Sequence, residues 1–188
     1  PDFYAQIPYL MELLEAFHIP LYEFDDYEAD DIIGTLARKA QAAGKRVEII
    51  SGDLDMLQIV DENIEMYQLK RGFSDVQKFD IPAIEAKYGL KKSQFLDLKS
   101  IKGDSSDNIP GVPGIGEKGA CKIVGEWGEV ENILANAQSI KGKQGEKIRD
   151  WGDKLLLSKR LAAICTDVPV EFSAEDLEIC EPNYDELR

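Results

Sequence analysis

The chain has 188 residues, 44% of them hydrophobic, enough for one ordinary domain or two small ones with a sizeable core. Its net charge of −14 argues at first against nucleic acid, but the excess is uneven: residues 1–101 carry a net −8, residues 102–160 a net +1 and residues 164–188 a net −7. No apolar run is long enough to span a bilayer, and the widely spaced Cys121, Cys165 and Cys180 form neither a disulfide framework nor a zinc pattern, which suits a reducing cytoplasm.

The opening PDFYAQIPYL lacks Met and has no basic stretch of the kind that begins a secretory signal, so the sequence reads as a piece of something longer. Residues 7–17 (IPYLMELLEAF) repeat apolar positions at helical spacing and then meet His18 and Pro20, a helix with a stop signal. PLYEF (20–24) is a short strand candidate. YEADDIIGTLARKAQAAG (27–44) puts Ile32, Ile33, Leu36, Ala37 and Ala40 on one face, acids in the first turn and Gly44 at the end, as a helix requires. VEIIS then reads as a buried strand, MLQIV as the start of a short helix, IEMYQL (64–69) as a further strand and FSDVQKFD as a turn with an edge strand. The strand–helix alternation over 20–80 predicts right-handed crossovers and a parallel sheet covered by helices.

After residue 81 the strands stop. IPAIEAKYGL, KSQFLDLKSI, EKGACKIVGEWG, EVENILANA and KIRDWGDKLLLSKRLAAI read as five helices with Gly-rich joints. The expected class is α/β: a parallel-sheet part over residues 1–90, an all-α part over 91–165, and an acidic tail or linker over 166–188 that opens on the extended piece VPVEF (168–172).

Three acidic groups stand at element junctions. Glu28, Asp30 and Asp31 open the second helix. Glu28 is read on the inward row, one turn before Ile32 and Leu36, where a lone carboxylate is costly unless paired. The alternative is a helix N-terminus dressed with acids. Asp53 and Asp55, in SGDLDML, fall where a strand hands over to a helix, the place where ligands gather in open parallel sheets. Asp53 as a simple cap is the alternative. Asp104 and Asp107, in GDSSDN, form a D-x-x-D on a turn, with ordinary turn chemistry as the alternative. Together these are seven carboxylates in three motifs, with no Lys or Arg inside them. Oxygen-only ligands suit Mg²⁺ or Mn²⁺. Two such ions about 3.5–4 Å apart are the usual apparatus for in-line phosphodiester displacement.

IPGVPGIGEKGACKIVGEW (109–127) reads as helix, tight Gly/Pro hairpin, helix. Gly111, Gly114 and Gly116 let the backbone turn sharply and approach a ligand, and the helix from Glu117 aims free N–H groups out of the hairpin. Such a site grips phosphates without reading bases, and Lys118 and Lys122 add contacts. A purely structural αα-hairpin is the alternative. His18, the only histidine, and Trp127 and Trp151 read as packing residues, and Ser105 and Ser106 lack a His partner for nucleophilic work.

YEADDIIGTLA, SGDLDMLQIV and IKGDSSDNIPGVPGIGEKGACKIV, in that order and spacing, resemble the flap-endonuclease family, in the form of the 5′ nuclease (5′-3′ exonuclease) domain of bacterial DNA polymerase I, over residues 7–172. The tail resembles the segment leading into the rest of such a polymerase. The resemblance implies a PIN-like core followed by a helix–hairpin–helix element that holds duplex DNA, with K⁺ at its backbone carbonyls. It implies that Glu28, Asp30, Asp31, Asp53, Asp55, Asp104 and Asp107 are metal-site acids, with Asp31, Asp53 and Asp55 the catalytic ones, and that Gly111, Gly114, Gly116 and Lys118 belong to the hairpin. It implies a two-metal nuclease acting on duplex and 5′-flap DNA and on RNA primers paired with DNA, joined to polymerase modules in the bacterial cytosol. The family's opening strand with its aspartate, and a second aspartate motif before a helical arch, are not in this sequence. The core is therefore expected to be incomplete, and the chain weak or inactive alone. Leu54 stands where the family has Lys or Arg, and Gly119 where Thr is common. The competing readings are a non-catalytic helix–hairpin–helix duplex binder and a metal-dependent phosphatase using D-x-D; against the latter, DLDML lacks the Thr or Val usual after such a pair.

Overall fold

In the computed structural model, which describes residues 3–71, 74–171, 173 and 175–187, the β-branched run Val47–Ser51 forms strand β1. It pairs in parallel with β2 (Ile64–Arg71), Val47 opposite Ile64 and Ser51 opposite Gln68. β3 (Asp75–Phe79) pairs antiparallel on the far side of β2, giving the order β1-β2-β3. The sheet is thus mixed rather than wholly parallel. Only three residues separate β2 from β3, and parallel pairing needs a crossover of a dozen or more residues. Phe73, placed in a turn by the sequence pattern, lies outside the described residues, as does Phe172 at the end of the extended piece.

The chain packs as two units, one made of Pro1–Lys45 with Cys165–Arg188, the other of Arg46–Ile164. In the first, α1 (Ile7–Ala16) starts with a proline in its first turn, a position where the missing N–H costs nothing. α2 (Ala29–Ala42) buries Ile32, Thr35, Ala37 and Ala40. The expected strand at 20–24 does not form. Tyr22 and Phe24 instead pack their side chains against Ile32, Val168 and Val170. Residues 165–170 run along α2 in an extended path: the Val168 amide donates to Thr35 Oγ1 at 3.1 Å and the Lys39 ammonium to the Val170 carbonyl at 2.5 Å. The same unit ties its tail down through the Asn183 amide, which donates to the Ala16 carbonyl at 2.7 Å.

In the second unit the sheet leads into α3 (Ile81–Tyr88), α4 (Phe95–Lys102), α5 (Glu117–Trp127), α6 (Val130–Ala135), α7 (Gly142–Trp151) and α8 (Lys154–Ala162). α4 is the axis, packing against α5, α6 and α8. Its Leu98 and Ile101 are fully buried, a gain of roughly 1.5–3 kcal/mol each over leaving them in water. The single helix expected over 147–164 is two, broken at Gly152, whose φ of 50° and ψ of −131° cannot continue a helix. Asp97, 2% exposed, accepts from the Val130 amide at 2.9 Å and from the Lys159 ammonium at 2.8 Å. Lys159 also reaches Glu131 at 2.7 Å, so one buried carboxylate ties α4, α6 and α8 together. No helix among the described residues is long and apolar enough to cross a membrane.

Candidate functional site

β1 ends at Ser51, and Asp53 caps the 3₁₀ turn Leu54–Gln58 by accepting the Asp55 amide at 2.9 Å. Met56 and Leu57 of that turn are wholly buried. Anchoring them in the core pulls Asp55, 9% exposed, inward with them. The second group of acids is shaped by its own loop. The amides and carbonyls of Asp104 and Ile109 bond reciprocally at 2.9 and 2.7 Å, closing a loop that turns through Asn108 at a φ of 55°. Asp104 Oδ1 accepts from the Ser106 amide at 2.9 Å and from the Ser106 hydroxyl. The outcome is a cluster: ligand oxygens of Asp55, Asp104 and Asp107 all lie within 4.8 Å of one another.

A cation lies in this cluster that the motifs did not reveal. Lys99, on α4 and only 5% exposed, donates to Asp104 Oδ2 at 2.6 Å and to Asp55 Oδ1. The absence of Lys and Arg from the acidic motifs was therefore not an absence of counter-charge. The available signal was Lys99's place one turn after the inward Phe95, on a row where a lysine needs an anion. Burial raises the Asp55 carboxyl above its ordinary value, outweighing the Lys99 hydrogen bond. Asp104 is less enclosed, and the Lys99 and Ser106 hydrogen bonds hold it well below the usual carboxylate range. For Lys99, burial alone would lower the value, but the bonds to Asp104 and Asp55 prevail and raise it.

Asp53, Leu54, Asp55, Tyr88, Lys99 and Asp104 line a crevice of about 530 Å³. Burial pushes the Tyr88 hydroxyl up to about 12, so it is a neutral wall of the crevice at physiological pH.

The first acidic group lies in the other unit. Glu28 is the N-cap of α2, at ψ 158°, and is exposed. The expectation that it lies on the inward row fails because an N-cap residue has extended backbone and leaves the helical row. Its amide donates to Asp31 Oδ2 at 3.3 Å in a reciprocal capping box. Asp31 Oδ1 accepts the Cys165 amide at 2.8 Å, so both its oxygens serve the backbone. Asp30, between them, is half-buried.

The hairpin follows the Asp104–Ile109 loop directly. Val112 and Ile115 are buried and pin it down, and the Ser158 hydroxyl donates to the Pro110 carbonyl. Gly111 is demanded by contact: a Cβ there would lie 2.1 Å from the Lys102 carbonyl oxygen. Gly114 has a φ of 70°, and its carbonyl accepts from the Lys147 ammonium at 2.9 Å. Gly116, the N-cap of α5, differs: a Cβ there would meet nothing within 4 Å. Lys118 and Lys122 are exposed on α5, Lys122 4.0 Å from Glu126.

Two family descriptions match the chain. The 5′-3′ exonuclease N-terminal resolvase-like domain covers residues 1–89, and the 5′-3′ exonuclease C-terminal SAM fold covers residues 90–185. The chain belongs to the 5′-3′ exonuclease family. DNA polymerase I of Bacillus caldotenax is 49% identical over 178 residues, 94% of this chain and 20% of that protein. DNA polymerase I of Bacillus subtilis (strain 168) is 43% identical over 179 residues, 95% of this chain and 20% of that protein. This exonuclease-family chain thus spans about a fifth of the length of these relatives. Among solved structures, T5 5′-exonuclease with bound zinc superposes with a TM-score of 0.70 at 25% identity, covering 83% of this chain and 58% of that one. The catalytic core of Rad2 in complex with DNA substrate shares the fold, with a TM-score of 0.64 at 20% identity over 99% of this chain and 62% of that one.

Proposed function

We propose that this chain is the 5′-3′ exonuclease and flap-endonuclease portion of a bacterial DNA polymerase I, joined covalently to polymerase modules and working in the cytosol. Its substrates are duplex and 5′-flap DNA, together with RNA primers paired to DNA. The observation that carries the reading is the convergence of the Asp55, Asp104 and Asp107 oxygens within 4.8 Å, the last two in the loop that runs straight into the glycine hairpin.

The donor set fits Mg²⁺ or Mn²⁺: it is oxygen-only and partly buried, and it is drawn from two separate elements. Asp55, Asp104 and Asp107 would hold such an ion, with Asp53 beside them; the family reading has two ions. Glu28, Asp30 and Asp31 are assigned to the same chemistry on family resemblance. A bound divalent ion supplies an activated water and charge on the leaving oxygen.

The chain's own residues do the positioning. Asp53 fixes the turn that presents Asp55. Ser106 orients Asp104. The α5 N-terminus at Gly116 and Glu117 offers backbone N–H groups to a phosphate, and the open space over Gly116 leaves room for a DNA backbone. Lys118 and Lys122 extend that grip, and K⁺ at the hairpin carbonyls adds positive charge. Contacts of this type hold DNA by its backbone and leave its sequence unread.

The test pairs calorimetric Mn²⁺ titration of the chain with cleavage of a labelled 5′-flap duplex by the full-length protein, with Mg²⁺ or Mn²⁺ and an EDTA control. Asp55→Ala with Asp104→Ala should abolish ion binding, and Asp53→Ala should abolish cleavage. Ion binding untouched by those changes, or cleavage that persists in EDTA, overturns the reading. Duplex binding without cleavage under any divalent ion would leave a binding module that does no chemistry.

A further inference from the structure

We propose that the Lys99 ammonium is a resident cation that holds Asp55 and Asp104 together in the metal-free protein and is displaced from them when a divalent ion enters. This rests on the metal-site reading above and assigns a role to a residue that reading does not use.

The argument begins with charge. Three carboxylates whose oxygens lie within 4.8 Å of one another repel, and Asp55 and Lys99 are both almost wholly buried. One ammonium bridges two of the three carboxylates, which come from elements far apart in sequence: the turn after β1 and the loop after α4. Lys99 therefore sets the spacing of the acids as well as neutralising part of their charge.

Occupancy is the second point. Asp104 Oδ2 is taken by Lys99, and Oδ1 by the Ser106 amide and hydroxyl. Asp55 gives Oδ1 to the same ammonium. An ion bound by Asp55, Asp104 and Asp107 shares two carboxylates with Lys99, and on Asp104 it meets two oxygens that are already engaged. A divalent ion and an ammonium sharing the same two carboxylates also repel each other.

The third point is that Lys99 has somewhere to go. It lines the crevice of about 530 Å³, and a lysine is a point charge on a flexible four-carbon stem with no fixed fork to lose. Binding of the ion therefore breaks two charge-assisted hydrogen bonds, so the resident lysine weakens affinity for divalent ions. It also shuts out monovalent ions, which carry no more charge than the ammonium they would replace.

The test compares Mn²⁺ affinity, by calorimetry, of the chain and of its Lys99→Met variant, which keeps the stem and removes the charge. Lys99→Met should bind Mn²⁺ about tenfold more tightly, the scale of one charge-assisted hydrogen bond. Equal or weaker affinity in a folded variant overturns the proposal. A second measurement needs no variant: Mg²⁺ titration of the unmodified chain, followed by NMR of the lysine side-chain ammonium groups. The Lys99 signal should shift in step with the backbone amides of Asp55 and Asp107. A Lys99 signal that stays fixed while those amides move overturns the proposal. Amides that do not move at all overturn the metal-site reading itself, and the proposal with it.

Discussion

A Cβ on Gly111 would lie 2.1 Å from the carbonyl oxygen of Lys102 and 2.5 Å from the amide nitrogen of Gly103. The two chain segments that flank the acidic loop thus touch backbone to backbone. Gly111→Ala forces them apart and should destabilise the chain by about 1–3 kcal/mol, the range for overpacking, read as a lower urea midpoint. Gly116→Ala is the contrasting case, since its Cβ would enter open space. It should leave the unfolding free energy within about 0.5 kcal/mol of the parent while weakening duplex DNA binding. Equal losses of stability from the two substitutions would contradict this contrast.

Asp97 predicts a loss of another kind. Asp97→Ala leaves the Val130 amide without its buried acceptor, while the Lys159 ammonium keeps Glu131. The expected loss is about 1–3 kcal/mol, the range for a buried donor left unsatisfied. Chemical denaturation measures it, and a loss below 1 kcal/mol would show that water replaces the carboxylate.

The pH dependence of the metal-free chain has a sign that follows from Asp104. Its folded carboxyl lies below the ordinary value of 3.8, so its contribution to stability is present above that value and is lost as pH falls below it. Asp55 shifts upward and acts in the opposite sense, so Asp104 must be isolated. In EDTA, the stability difference between the chain and Asp104→Asn should shrink as pH is lowered from about 6 to about 3. A difference that widens over that interval would reverse the assignment.

Asp31 has a fold role that any activity assay on it will mix with chemistry. Asp31→Ala removes the capping partner of Glu28 and the acceptor of the Cys165 amide, and should cost about 1–2 kcal/mol. Hydrogen exchange at the Cys165 amide should accelerate. Unchanged exchange would show that this bond does not hold the return segment on α2.

Both strands of the parallel pair, the helices before residue 127 and the hairpin were legible from periodicity and from Gly and Pro placement. The strand expected at 20–24 was not there because Tyr22 and Phe24 bury their side chains against α2 and the return segment, a tertiary preference that a short apolar run does not display. The helix break at Gly152 was overlooked because one glycine in a helical pattern is usually tolerated. Within the candidate site, the acids were legible because they cluster in sequence. Lys99 was not, because its partners are 44 and 5 residues away and only the packing of α4 brings them together. Asp97 was hidden for the same reason, its partner amide being 33 residues distant.

The reciprocal bonds between Asp104 and Ile109, followed at once by the backbone contact at Gly111, leave no slack between the carboxylates and the hairpin. On the proposed function, the protein therefore works as a gauge. The distance from the gripped backbone to the bond that is cut is built into a few rigid residues, and base sequence has no part in setting it. A residue inserted between Ile109 and Gly111 would lengthen the gauge, and the place where the strand is cut would move with it.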